Sequence, residues 1–293
     1  MELCSAFVGT PLKTHTVNIS WRQMMNFAAA IQDDNPVYFD DCDGNHLIGH
    51  PMFAVAITWP LLQDLHQNLK TASFPLDILS TQVHYSEYLI LFQPFRPGDA
   101  LTIRGSISAI LPHRSGAYLV IRLDAVDANE RPVFTEYTGA LLRGVTCSDD
   151  GRGLESLPSP PVQPQQAGPL WERGIFVHPL QPYVYDGCTN IFFPIHTSQR
   201  FARNVGLPGI ILQGTATLAY AVRELINEEA SRQPWRLKRV SCQFSHMVLP
   251  GTEIRVKLLC RVPSNAGREL FFVVLNSQDQ EAISRGYALL ENE

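Results

Sequence analysis

The chain has 293 residues, 45% of them hydrophobic and 17% charged, with 23 Lys and Arg against 28 Asp and Glu for a formal net charge of −5. That balance excludes a disordered or fibrous chain and leaves room for two domains of ordinary size with cores of their own. The basic residues are scattered rather than gathered into a stripe, so no nucleic-acid partner is expected.

Ser20-Trp21-Arg22-Gln23 has the Ser-x-x-Gln form of a capping box and predicts a helix through about Ile31, with Met24, Phe27, Ala28 and Ile31 on one face. It ends in the turn-forming Asp33-Asp34-Asn35-Pro36. A second helix is expected over 52–67, with Phe53, Ala56, Ile57, Leu61 and Leu65 marking an apolar face and Pro60 kinking or interrupting it. Strands follow at 82–92, 100–110, 117–126 and 133–143, rich in β-branched and aromatic residues. From 148 to 169 the composition shifts to Pro158, Pro160, Pro161, Pro164 and Pro169 with Ser, Gln and Gly between, a surface connector without its own core.

The second half repeats the order of the first. Residues 185–227 place Pro194-Ile195-His196 on a loop, then a short helix, a Leu207-Pro208-Gly209 turn, and a helix that opens at Gln213-Gly214 and runs to about Ala230. Leu218, Val222, Leu225 and Ile226 fall at helical spacing, and Ala216, Ala219 and Ala221 let strands approach the axis closely. Strands are expected at 239–247, 253–262, 269–275 and 283–290. Pro97-Gly98 corresponds to Pro250-Gly251, the run 138–143 to 285–290, and Asn35-Pro36-Val37-Tyr38 to Phe193-Pro194-Ile195-His196. An internal repeat accounts for the length, with residues 1–147 and 170–293 as the two units and 148–169 as the linker.

Cys4, Cys42, Cys147, Cys188, Cys242 and Cys260 form no CxxC or zinc-ligand pattern, so reduced thiols and a cytoplasmic location are expected. His50, His84, His178 and His246 lack metal-ligand spacing, and no metal or cofactor is implied. The amino terminus, MELCSAFVGT, has no basic region followed by an apolar run, and no stretch approaches about 18 uninterrupted apolar residues, so no membrane association is expected. Leu290-Glu291-Asn292-Glu293 is not a peroxisomal Ser-Lys-Leu type ending.

A long buried helix followed by several antiparallel strands, repeated once, is the order of an α+β double hotdog: two tandem repeats, each with a long central helix wrapped by an antiparallel sheet. With FAAAIQDDNPVYFD at 27–40 and PMFAV at 51–55, the chain resembles the MaoC-like double-hotdog hydratases and dehydratases, whose members include R-specific enoyl-CoA hydratases. The resemblance implies a lyase acting on a small molecule or acyl thioester. The motif of that family runs Gly-Asp-x-Asn-Pro-(Leu/Ile/Val)-His, its carboxylate and imidazole together holding and deprotonating a water. The second half keeps Pro194, Ile195 and His196 but carries Ile191 and Phe193 at the Asp and Asn positions. The first half keeps Asp33, Asn35 and Pro36 but has Tyr38 at the His position.

Neither half is therefore complete. Relatives that look like mesaconyl-C4-CoA hydratase vary the Asp position and keep an upstream tyrosine and the final histidine, a pattern Tyr185, Thr189 and His196 fit. The expected catalytic group is His196 with Tyr185 and Asn190, the imidazole being oriented by Thr189, Asn190 or a backbone carbonyl. Expected substrate contacts are Gly214, whose free N–H could hold a carbonyl oxygen, with Gln213, Thr189, Phe192, Phe193, Tyr38, Asp33 and Asn35. The competing readings are structural. His196 could cap the helix near Ser198, Asp33 and Asn35 could simply form a turn, and Tyr38 and Tyr185 could be core aromatics. Three functions stay open: a hydratase or dehydratase; a repurposed pocket that dehydrates, isomerises or cyclises an apolar metabolite; and a non-catalytic binding protein. The duplicated unit suits a monomer, as a pseudo-dimer, or a homodimer.

Overall fold

The computed structural model describes residues 1–42, 47–71, 73–165 and 168–292. Gln166 and Ala167 of the expected linker and Glu293 of the carboxy-terminal tetrapeptide lie outside the described residues. Two short strands, β1 (Glu2–Leu3) and β2 (His15–Asn18), precede helix α1 (Trp21–Ala30). The capping box forms as read: the Ser20 hydroxyl accepts from the Gln23 N–H and the Gln23 side chain accepts from the Ser20 N–H.

The second helix differs from expectation. Pro51–Phe53 is a 3₁₀ turn, α2 (Ala54–Gln63) carries Pro60 inside it, and the break falls at Asp64 before the single turn α3 (Leu65–Asn68). Proline removes one backbone donor without ending the helix at once, and the Asn68 amide covers the break by donating to the Leu61 and Asp64 carbonyls at 3.2 and 3.1 Å.

Strands β3 (Gln82–Leu91), β4 (Ala100–His113), β5 (Gly116–Val126) and β6 (Pro132–Arg143) follow, and β7 (Thr146–Cys147) pairs in parallel with β1. The second half opens on β8 (Trp171–Phe176) and α4 (Gln181–Thr189), continues through α5 (Pro194–Thr197) and α6 (Gln199–Asn204) into α7 (Gly214–Glu229), and closes with β9 (Leu237–Phe244), β10 (Glu253–Ser264), β11 (Gly267–Leu275) and β12 (Glu281–Leu290). One ten-stranded sheet runs β2-β4-β5-β6-β3-β9-β12-β11-β10-β8. The halves join where β3 pairs antiparallel with β9, Tyr88 opposite Ser241, so the fold is an α+β double hotdog. Gly98 and Gly251, at φ 87° and 80°, make the same left-handed turn in each half, a conformation that favours glycine.

Eleven residues of α7 are buried, Leu218, Ala219, Val222, Leu225 and Ile226 completely. Its last turn ends on Glu229, where the helix dipole disfavours an anion. That carboxylate is compensated by Arg261 Nε and Nη2 at 2.7 and 2.6 Å and by Trp171 Nε1 at 2.7 Å, which tie the helix to β8 and β10. Glu229→Ala should cost about 2 kcal/mol in denaturant unfolding, because it strands these donors. A change below about 0.5 kcal/mol would assign the cluster to the solvated surface pairs that contribute little.

Candidate active site

The helix α4, not foreseen in the sequence although Pro182 stands in its first turn, has no capping side chain at its N-cap Leu180 and ends at Thr189. Asn190 then takes the left-handed conformation (φ 58°) and its N–H bonds the Asp186 carbonyl, a C-cap role that asparagine suits. Its side chain is exposed, and no hydrogen bond joins it to His196. Thr189 is spent as well: its hydroxyl donates to the Tyr185 carbonyl at 2.6 Å and accepts from the Ile191 N–H at 3.2 Å. The orienting roles read for Asn190 and Thr189 are thus corrected. Both brace the turn, and Ile191, at the motif's carboxylate position, is buried in the core.

Pro-Ile-His, expected on a loop, is the one-turn helix α5. Half-buried His196 donates from Nδ1–H to the Ile211 carbonyl at 2.8 Å, while the Ile211 N–H bonds back to the Ile195 carbonyl at 3.3 Å. A carbonyl can only accept, so this contact puts the imidazole proton on Nδ1 and leaves the Nε2 lone pair free. Burial pushes the imidazole down to about 4, against the opposing pull of the Ile211 carbonyl, so it is neutral at physiological pH. Phe193 stands beside it with ring centroids 6.4 Å apart, and Phe192 is exposed.

Three residues beyond Ile211, α7 opens at Gly214 with no side chain capping its first turn. A Cβ on Gly214 would stand 3.1 Å from the Phe244 ring, so glycine is what lets that ring pack against the helix start. Gln213 faces inward: its amide donates to the Pro182 carbonyl at 3.0 Å and its Oε1 is buried without a partner among the described residues. Tyr185 does not reach His196 by any hydrogen bond. Its fully buried hydroxyl donates to Thr215 Oγ1 at 3.1 Å, burial holds the phenol well above its usual range, and its ring packs edge-on to Phe27. The Tyr185 hydroxyl, read as part of the catalytic group, here meets the α7 first turn.

In the first half, Asn35 caps the 3₁₀ turn Pro36–Tyr38 and its amide donates to the Arg232 carbonyl at 2.7 Å. Asp33 accepts from the Asn35 N–H, and its other oxygen faces His50 Nε2 at 3.8 Å. His50 Nδ1 accepts from the Met52 N–H at 3.1 Å, so its proton sits on Nε2 toward that carboxylate. Burial pushes Asp33 up to about 6 and His50 down to about 3. Asp33, Asn35, Tyr38 and His50 are all buried, and the Asp33 Oδ2, His50 Nε2 and Tyr38 Oη atoms have no partner among the described residues. Asp33, Asn35 and Tyr38, read as substrate contacts, thus lie among the interior polar groups. His50, passed over in the sequence for want of ligand spacing, completes this cluster; its place in His-Pro at a helix start was the only signal. A separate cleft is lined by Gly49, Pro51, Phe92 and Phe95 of the first half and by Trp235 and Lys238 of the second.

Comparison with known proteins bears on both halves. Residues 164–280 match the MaoC like domain, and residues 6–136 match the FAS1-like dehydratase domain region. The chain is 32% identical over 115 residues to the fatty acid synthase subunit beta of Aspergillus oryzae, covering 39% of this chain and 6% of that protein. It is 24% identical over 208 residues to the peroxisomal enoyl-CoA hydratase 2 of Arabidopsis thaliana, covering 69% of this chain and 66% of that one. A MaoC-like dehydratase structure from Phytophthora capsici superposes with a TM-score of 0.83 at 18% identity, covering 98% of each chain. The chain thus spans only a small part of the fatty acid synthase subunits it matches.

Proposed function

We propose that this chain, which belongs to the MaoC-like double-hotdog dehydratases and hydratases, is a hydro-lyase acting on a β-hydroxyacyl or enoyl thioester or a related carbonyl compound. The observation that carries the reading is His196: Nδ1–H fixed by Ile211, Nε2 free, beside an uncapped helix start at Gly214. A thioester carbonyl bound to the Gly214 N–H gains electron density as the adjacent C–H ionises, and that dipole stabilises the developing oxyanion. His196 Nε2 takes the proton, and expulsion of the β-hydroxyl completes the elimination. Its low basicity makes Gly214 necessary, because a weak base needs an acidified C–H. With Ile191 in place of the carboxylate, no side chain from the motif holds the water that leaves in elimination or adds in hydration.

On this reading residues 1–147 and 170–293 are the two units and 148–169 the connector. The first unit shapes the apolar part of the substrate. Asp33→Asn should accordingly leave turnover within a few-fold, since that carboxylate is buried with His50 and Asn35; a loss of several orders of magnitude would transfer the chemistry to the first half. The six cysteines are free thiols, which supports a reducing compartment such as the cytoplasm.

The exposed Phe192 and the Phe193 beside His196 favour a second reading, in which the same base dehydrates, isomerises or cyclises an apolar metabolite that carries no thioester. Incubation with crotonyl-CoA and 3-hydroxybutyryl-CoA separates the two. Interconversion supports the first. Inertness toward both, with a new metabolite accumulating in a deletion strain by mass spectrometry, supports the second.

A further inference from the structure

We infer that the chain carries a second binding site, on the face of the sheet opposite α7, which takes a single-ring aromatic carboxylate. The site stands independently of the hydro-lyase reading. It lies over the join of the halves, where β3 and β9 set Ser86 opposite Gln243 and Tyr88 opposite Ser241. Glu87 and Cys242 lie between those residues in sequence and so turn to the other face, where Cys242 belongs to the core cluster that contains α7. On the outer face is a cavity of about 160 Å³ with Ser86, Tyr88, Tyr118, Tyr137, Ser241 and Arg285 in its wall. Leu157, Pro158 and Pro160 of the connector close its remaining side.

The walls are braced. Ser86 Oγ and Tyr118 Oη hydrogen-bond at 2.6 Å, and a Cβ on Gly139 would stand 2.6 Å from the Tyr118 ring, so glycine is what admits this pair. Tyr88 and Tyr137 meet edge to face with centroids 6.4 Å apart, and the Arg122 guanidinium lies 5.6 Å over Tyr137. The connector is tied to the same sheet by the Ile110–Arg152 bridge, whose two backbone hydrogen bonds measure 3.1 and 2.9 Å.

Two polar groups in this wall are unspent. Ser241 is 3% exposed, yet its hydroxyl has no partner among the described residues, and a buried hydroxyl left alone costs folding free energy. The Arg285 side chain likewise has no ion pair or hydrogen bond among the described residues. It sits in the register break of β12 between Ser284, opposite Gln243, and Tyr287, opposite Ser241, and a bulge of this kind re-aims a side chain. Arg239 at the Tyr88 hydroxyl adds positive charge, whereas Arg122 is matched by Asp124 at 2.9 Å. Glu87, the carboxyl bordering the cavity, is pushed up to about 8 by burial and does not oppose an anion at neutral pH. A volume of this size holds about one six-membered ring, and tyrosine walls suit an aromatic one. An unpaired guanidinium selects a carboxylate, which it grips through two parallel N–H···O bonds, and the Ser241 hydroxyl supplies a further donor.

The test is isothermal titration of the full chain with benzoate, and with benzyl alcohol, which keeps the ring and lacks the charge. Benzoate should fill one saturable site with Kd about 1 mM, about tenfold tighter than benzyl alcohol. Arg285→Gly, which the left-handed backbone there (φ 51°) accommodates, should bring benzoate level with benzyl alcohol, and Arg285→Lys should keep the preference for the anion. Ser241→Ala should weaken benzoate a few-fold and still fold, because the hydroxyl it removes has no protein partner among the described residues to strand. His196→Ala should bind benzoate as wild type does. Absence of saturable binding, equal affinity for the two probes, or wild-type affinity in Arg285→Gly would each overturn the site. Loss of benzoate in His196→Ala would overturn it too, by placing the ligand in the catalytic pocket.

Discussion

Replacing His196 by alanine should lower turnover at least about a hundredfold while the circular dichroism spectrum stays that of the wild type. The magnitude follows from the role. A positioned general base contributes about 10² to 10⁴ in rate, and among the motif positions of the second half His196 alone retains an acid/base group. The fold should tolerate the change, because His196 is only half-buried and its imidazole hydrogen-bonds a single backbone carbonyl among the described residues. His196→Gln should be equally slow, since an amide can keep the Ile211 contact without acting as a base. Full activity of either variant would leave only a shape-driven pocket or a binding role.

Stability should fall as the pH rises above neutrality. Glu87 titrates near 8 in the folded chain against 4.5 for an ordinary glutamate, so between those values the unfolded chain has released a proton that the folded chain still holds. A raised carboxyl pKa of this kind gives stability that is complete below the unfolded value and is lost as pH climbs to the folded one. Below pH 6.5 the buried neutral imidazoles of His50, His84 and His196 act in the opposite sense, because the unfolded chain protonates them and the folded chain resists. The carboxyl effect therefore stands alone between about pH 6.5 and 8, where one group contributes about 2 kcal/mol. Urea unfolding of wild type and Glu87→Gln across that window checks it. The variant should lose the part of the slope that Glu87 causes, and identical slopes would show that Glu87 is already ionised in the folded chain.

Much of this architecture was legible in the residues. The capping box at Ser20, the paired Pro-Gly turns and the alternation of the eight long strands are local signals, and local signals set local structure. What escaped had weaker signals. Helix α4 starts without a capping side chain, and β8 is a short edge strand whose pairing with β10 is decided 80 residues away in sequence. Of the three orienting partners left open for His196 in the sequence, the imidazole meets a backbone carbonyl, that of Ile211. Asn190 and Thr189 are the polar residues nearest His196 in sequence, yet a left-handed C-cap and a backbone bond consume them. The group that does meet the imidazole, the Ile211 carbonyl, arrives from another segment. Buried polar clusters such as Asp33 with His50 and Glu87 with Glu136 depend on which faces of distant elements meet, and a linear pattern does not carry that.

The most direct measurement of proton removal by His196 is α-hydrogen exchange. A 3-hydroxybutyryl thioester incubated in deuterium oxide with the wild-type chain should gain deuterium at the carbon next to the carbonyl, read by mass spectrometry, whether or not product is released. His196→Ala should leave that position unlabelled over the same time. Labelling at the wild-type rate in the variant, or none in either protein from any acyl thioester supplied, would contradict the assignment of His196 as the base.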